Sequence, residues 1–235
     1  MKIYEVGGCV RDELLGIASK DIDFVVVAES YNAMKQYLVD HGFKIYVEEP
    51  KFVTIRCSVP QSHPLRSRTK DADFVLARKD APTGDGRRPD YVEVGTLQED
   101  LSRRDFSINA MAKDSETGEI IDLFGGKQDL QDKILRFVGD PEKRISEDGL
   151  RVLRAFRFKI TKGLTLDPRT QSALTSPLAT EMLHKVSQDR VRDEVNKMFA
   201  YDTLASLALL AGLPVELQAA IFKKPLHLQA TTKCS

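Results

Sequence analysis

The sequence predicts an α+β protein, with a sheet-building first part and a helical second part. Three observations carry this. Short runs rich in Val, Ile, Phe and Tyr recur between Gly, Pro and polar breaks as far as Val138. From Asp140 onward the apolar residues recur at helical spacing. The 235 residues, 42% of them hydrophobic, suffice for one core with a smaller helical unit beside it. On this reading the chain divides into a sheet domain at 1–138, a helical segment at 139–200, and further helices with a tail at 201–235.

The first stretch is the most informative. Ile3-Tyr4-Glu5-Val6 leans to strand, and Gly7-Gly8 lets the backbone come close to a ligand before a short helix. That helix presents free N–H groups to an anion, and Arg11 just inside it adds a fixed positive charge. Asp21 and Asp23 open the next strand, Phe24-Val25-Val26-Val27. Period two puts both carboxylates on one face, near the glycine turn. Two like charges side by side are costly unless a cation lies between them. Phosphate donors beside a carboxylate pair point to a metal–nucleoside triphosphate. Either motif alone has a bland reading, as a common turn or a solvated loop charge.

A helix follows at Ser30–His41, with Ser30 as N-cap, Tyr31, Met34, Tyr37 and Leu38 at helical spacing, and Gly42 as its stop. Residues 43–47 and 52–57 read as strands separated by Glu48-Glu49-Pro50. Gln61–Lys70 is polar and loop-like. Asp73-Phe74-Val75-Leu76-Ala77 is a short strand that begins with a carboxylate, which by itself reads as an ordinary strand-edge acid. Arg78–Arg88 has a loop's composition. In Leu97–Ala110, Arg104 can pair with triphosphate oxygens, Asp105 can accept a ribose hydroxyl and Asn109 can hold the turn. The alternative there is a capped helix with surface ion pairs of little energetic weight. An edge strand at Ile120–Leu123, a turn at Gly125-Gly126, and a short helix and strand lead on to Val138.

Asp140-Pro141 starts a helix, with Asp as N-cap and Pro at the first helical position. The helix from about Glu147 carries EDGLRVLRAFRF. On its wheel Asp148, Arg151, Arg154 and Arg157 share an exposed arc, opposite Leu153, Phe156 and Ile160. Arg190 and Glu194 stand four apart and brace their own helix. Leu204–Phe222 reads as two helices divided by Gly212 and Pro214, and the tail at 231–235 as frayed.

Composition narrows the classes. Lys+Arg and Asp+Glu number 35 each, so net charge excludes a globally basic nucleic-acid binder but leaves room for a local basic face. Cys9, Cys57 and Cys234 lack C-x-x-C spacing and His partners, which fits reduced thiols rather than zinc. No apolar leader opens the chain and no run reaches membrane-span length, so a soluble cytoplasmic protein is expected.

GGCVRDELLGIASKDIDFVVV resembles the signature of polymerase-β-type nucleotidyltransferases. More closely, it is similar to the class II tRNA CCA-adding enzymes and bacterial poly(A) polymerases. RRDFSINA, the Ile120–Arg136 link, EDGLRVLRAFRF and SQDRVRDE resemble later motifs of that family in the same order, over roughly residues 1–200. The resemblance implies a polymerase-β-like head followed by an all-helical neck and part of a body. It implies two Mg²⁺ ions on Asp21 and Asp23, with Asp73 where relatives carry a third acid. It implies a triphosphate held by Gly8, Arg11, Arg104, Arg154 and Arg157, with Asp105 and Asn109 also at the nucleotide. Asp148 and Arg151 match residues that read the base. The substrates would be CTP and ATP, and the acceptor a tRNA 3′ end.

Three departures stand out. Ser107 replaces the usual Thr, and Gly149 replaces the usual Pro, at a helix cost of ~1 kcal/mol. The resemblance also implies further helical domains beyond residue 235, so the chain is expected to be a minimal enzyme, to work with a protein partner, or to be a fragment with C-terminal domains missing. The rivals are a poly(A) polymerase, a CC- or A-adding enzyme, a non-catalytic tRNA-binding relic, or a protein-nucleotidylating transferase. EPKFVTI, in place of an arginine-rich G-R-R-F-type signature, favours CCA addition.

Overall fold

Alternating side chains make Lys2–Val6 a strand, β1, and Gly7, at φ +76°, turns it directly into helix α1, Gly8–Leu14. The computed structural model describes residues 1–19, 22–80 and 92–223. These form two compact units. The first holds the described residues up to Asp132 together with Arg136–Gly139; the second holds Lys133–Leu135 and those from Asp140 onward.

In the first unit β2, Asp23–Val27, is followed by α2, Tyr31–Asp40. Ser30 caps α2 by accepting the Ala33 N–H at 3.1 Å. β3, Lys44–Glu49, and β4, Thr54–Ser58, form a hairpin closed by a tight turn at Pro50–Phe52. β3 runs two residues further than its sequence signals. It ends where Pro50 has no N–H to give the ladder. β5, Asp71–Leu76, leads into a small hairpin of β6, Arg78–Asp80, and β7, Val92–Val94. Arg78–Asp80 is therefore strand rather than the start of a loop, and residues 81–91 lie outside those described. After α3, Leu97–Ser102, come β8, Met111–Asp114, β9, Ile120–Asp122, and α4, Gly126–Gln131.

The main sheet runs β3-β4-β5-β2-β1-β8-β9. β2 and β5 are parallel and the other neighbours antiparallel, a mixed sheet. One face carries aromatic packing: Phe24 and Phe74 stack at 4.8 Å, and Phe43 meets Phe74 edge-on at 5.4 Å. The other face buries Tyr4, Val6, Val25, Ala77, Leu101 and Ala112. Period two puts Asp23 on that second face with Val25, and Asp73 with Val75.

The second unit comprises β10, Ile134–Leu135, α5, Pro141–Glu147, α6, Leu150–Lys162, and β11, Thr165–Leu166. It continues with α7, Pro168–Leu174, α8, Pro177–His184, α9, Gln188–Tyr201, α10, Thr203–Ala211, and α11, Val215–Phe222. The parallel pair β10–β11 makes this unit not wholly helical. Asp140 caps α5 and Pro141 opens it, as expected.

The helix expected from Glu147 is broken. α5 stops there, Asp148 is extended at φ −155°, and α6 starts at Leu150 with its first N–H on Asp148 Oδ1 at 3.0 Å. Gly149 is back in helical conformation at φ −59° and ψ −22°, and a Cβ there would lie 2.2 Å from the Met182 carbonyl oxygen. Glycine is what lets α8 pass that close. The tail at 231–235 lies outside the described residues.

Candidate active site

The site is built on the turn between β1 and α1. Gly7 N–H donates to the Met111 carbonyl at 3.3 Å, tying the turn to β8. Arg11, buried, aims Nη1 at Asn109 Oδ1 at 2.5 Å, while its Nε and Nη2 hold Asp12 Oδ1 at 2.9 and 2.8 Å. Asn109 Nδ2 donates to Asp105 Oδ1 at 3.1 Å, and the Phe106 N–H donates to the same oxygen at 2.8 Å. A Cβ on Gly8 would stand 3.4 Å from Arg11 Nη2, and one on Gly7 would stand 3.1 Å from Arg104 Nη1. Gly8, Arg11, Arg104, Asp105 and Asn109 thus meet at one place.

Arg104 is aimed by a residue the sequence reading passed over. Asp100 is fully buried on α3 and accepts from Arg104 Nε and Nη2 at 3.3 and 3.0 Å, and from Arg103 Nη2 at 2.6 Å. Burial pushes the Asp100 carboxyl up, but the charges and hydrogen bonds of Arg103 and Arg104 outweigh it and hold it below the usual range. The i,i+4 spacing of Asp100 and Arg104 was the signal available in the sequence. A capping box at Thr96 and Glu99 fixes the start of α3. Gly126 supports the Ser107–Asn109 turn from below: a Cβ there would fall 2.3 Å from the Ser107 carbonyl oxygen.

Asp23 opens β2 opposite Val6, next to the glycine turn. On its other side it is in register with Asp73 of β5, and Asp73 with Arg56 of β4. Arg56 donates Nε and Nη2 to the two Asp73 oxygens, each at 2.5 Å. Asp21 lies outside the described residues. Asp23 and Asp73 offer hard oxygen donors of the kind Mg²⁺ prefers, although Asp73 is engaged by Arg56. Among the described residues no cluster of three or more His, Cys, Asp or Glu is placed to hold a metal. A cavity of about 640 Å³ also opens against α1, lined by Cys9, Glu13, Ile17, Ile22, Arg68 and Lys113. It shares none of the side chains gathered at the turn.

In the second unit the expected nucleotide-binding residues are half-buried rather than on an exposed arc. Asp148 receives Arg190 Nη1 and Nη2 at 3.3 and 2.7 Å. Arg151 Nη1 donates to the Arg144 carbonyl at 2.9 Å and to Glu147 Oε2 at 2.7 Å. Arg157 Nε donates to Glu194 Oε2 at 2.6 Å, and its guanidinium lies over the Phe158 ring, as does that of Arg154. Arg190 and Glu194 therefore do not pair with each other along α9, although Glu194 also meets Lys197 on that helix at 3.7 Å. Arg190 reaches Asp148, just after α5, and Glu194 reaches Arg157 of α6, because α9 packs along α6 and brings these charges within range.

Among known proteins, the chain matches the Poly A polymerase head domain over residues 3–136. Residues 163–212 match a segment described as the probable RNA and SrmB-binding site of polymerase A. The CCA-adding enzyme of Streptococcus gordonii is 36% identical over 196 residues, covering 83% of this chain and 45% of that protein. The Bacillus stearothermophilus CCA-adding enzyme in complex with CTP superimposes with a TM-score of 0.73 at 32% identity, over 90% of this chain and 48% of that one. A tRNA nucleotidyltransferase complexed with a primer tRNA and an incoming ATP analog gives 0.70 at 32%, over 88% and 56%. The chain thus spans about half the length of the curated relatives it matches. No helix among the described residues is long and apolar enough to cross a membrane.

Proposed function

The chain belongs to the family of the poly(A) polymerase head domain, and from that premise we propose that it is a template-independent RNA nucleotidyltransferase. It transfers C and A from CTP and ATP to tRNA 3′ ends and releases pyrophosphate. The observation that carries this reading is the gathering of Gly8, Arg11, Arg104 and Asn109 at the β1–α1 turn, beside Asp23.

Arg11 and Arg104 bind the triphosphate. Each is held by a carboxylate on one edge, Asp12 and Asp100, and so is fixed before the substrate arrives. Asp105 takes the ribose hydroxyl, and Asn109 sets the orientation of its carboxylate. Asp21 and Asp23 would hold two Mg²⁺ ions, which when bound lower the pKa of the RNA 3′-hydroxyl and neutralise charge on the triphosphate. Asp148 accepts from an exocyclic amine and Arg151 donates to a ring acceptor. Cytosine and adenine satisfy both, whereas uracil and guanine leave groups unpaired. Arg154 and Arg157 add to nucleotide binding. A tRNA substrate places the work in the cytoplasm.

Incubation with tRNA lacking its terminal CCA, plus single or paired triphosphates, tests the reading. C followed by A and then a stop is expected; an A-only tail would make the chain a poly(A) polymerase. Asp23→Asn should lower transfer at least a thousandfold while CTP still binds. Near-normal incorporation by that variant would contradict the assignment.

A further inference from the structure

The face that carries Asp23 continues past it to the β3 edge of the sheet. There β3 has a bulge between Ile45 and Val47. A bulge turns an extra side chain out of the pleat, here Tyr46, which is 51% exposed. The bulge sets Tyr46 beside Val47, which pairs with Arg56, and Arg56 pairs in turn with Asp73. Arg56 is next to it, with its side chain 53% exposed. It spends two N–H groups on Asp73, and its other three find no partner among the described residues. An exposed aromatic ring beside a braced guanidinium is the pairing that holds single-stranded nucleic acid. The ring stacks on a base of any identity, and the guanidinium takes a phosphate.

The sheet order assigns the ligand. Across it stand Tyr46 on β3, Arg56 on β4, Asp73 on β5, Asp23 on β2 and the glycine turn after β1. Arg11 and Arg104 lie on the β1 side of Asp23, and Tyr46 and Arg56 on the other. At a strand spacing of about 4.8 Å, Arg56 is about 10 Å from Asp23 along the backbone, a span that one or two nucleotides bridge. Phosphoryl transfer keeps the attacking and leaving oxygens roughly in line on opposite sides of the phosphorus. With the triphosphate on the β1 side, the attacking chain enters from the β4 side.

We propose that Tyr46 and Arg56 bind the single-stranded 3′-terminal nucleotides of the RNA acceptor, and that Asp73 is a positioning residue that anchors Arg56. This rests on the nucleotidyltransferase reading above and adds where the acceptor is held.

The test uses the full chain, a fluorescent tRNA lacking its terminal nucleotides, and anisotropy without triphosphate, followed by steady-state kinetics. Tyr46→Ala and Arg56→Ala should each weaken RNA binding about tenfold and raise KM for RNA, with KM for CTP unchanged. Tyr46→Phe keeps the ring and should bind as the parent does. Arg56→Ala should reduce the slope of log affinity against log salt by about one. Asp73→Asn should weaken RNA binding, add nothing on top of Arg56→Ala, and leave Mn²⁺ binding, read by electron paramagnetic resonance, intact. Unchanged RNA affinity in both alanine variants, or an effect confined to CTP, overturns the proposal. So does loss of Mn²⁺ in Asp73→Asn. RNA binding is read without turnover, so active Asp23→Asn would sink the parent reading alone.

Discussion

Arg190 holds Asp148 by two N–H groups, and both partners are about one-fifth to one-quarter exposed. On the proposed base-reading role of Asp148, a carboxylate fixed by a fork cannot rotate to suit a wrong base, so discrimination should depend on Arg190 as well. Arg190→Gln should raise KM for CTP and ATP about tenfold and narrow the preference over UTP. Unchanged selectivity in a competition assay would show that Asp148 needs no brace. Asp148 and Arg190 stand 42 positions apart, and no spacing rule connects them. The Asp100–Arg104 pair, by contrast, is local and could be read from i,i+4 periodicity. At this scale the sequence yields the side chains that gather at the β1–α1 turn, Gly8, Arg11, Arg104, Asp105 and Asn109. It does not yield which neighbours aim them, since aiming depends on elements distant in the chain.

β1, α1, β2 and α2 follow from period-two and period-3.6 patterns and from Ser30 and Gly42, all local signals. β8 does not. Met111-Ala112-Lys113-Asp114 has no β-branched residue, and it becomes a strand because β1 and β9 flank it. The close passage of α8 by Gly149 is likewise a contact that no local pattern signals. Gly126 shows how such an approach bears on the site. A methyl there would press on the Ser107 carbonyl, and the Ser107–Asn109 turn carries the side chain that meets Arg11. Gly126→Ala should cost about 2 kcal/mol of stability in urea titrations and weaken CTP binding as well. An unchanged urea midpoint would mean that α4 shifts freely.

The pH response of the whole molecule should carry the mark of Asp100. Its folded-state pKa is depressed, so its contribution is complete above the unfolded carboxylate value of about 3.9 and fades as pH falls through the lower folded value. Glu99 is also lowered, chiefly by the Thr96 N–H, and titrates in the same direction. Stability should therefore decline below about pH 4. Asp100→Asn should lose about 3 kcal/mol at pH 7, because two arginines lose their counter-charge, yet fall less steeply in acid. Urea midpoints at pH 7 and pH 3 for both proteins give the comparison, and equal acid slopes would count against it.

β2 and β5 are the one parallel pair in the main sheet, and the residues they align, Asp23 and Asp73, are fifty positions apart. Such a pairing must bear the entropy of closing a long loop before any contact rewards it. The row of charges across that seam is therefore a late product of refolding. Hairpins such as β3–β4 can zip early, whereas the charged row waits for β2 to meet β5, and β1–β8, with partners 106 to 110 positions apart, closes a longer loop still.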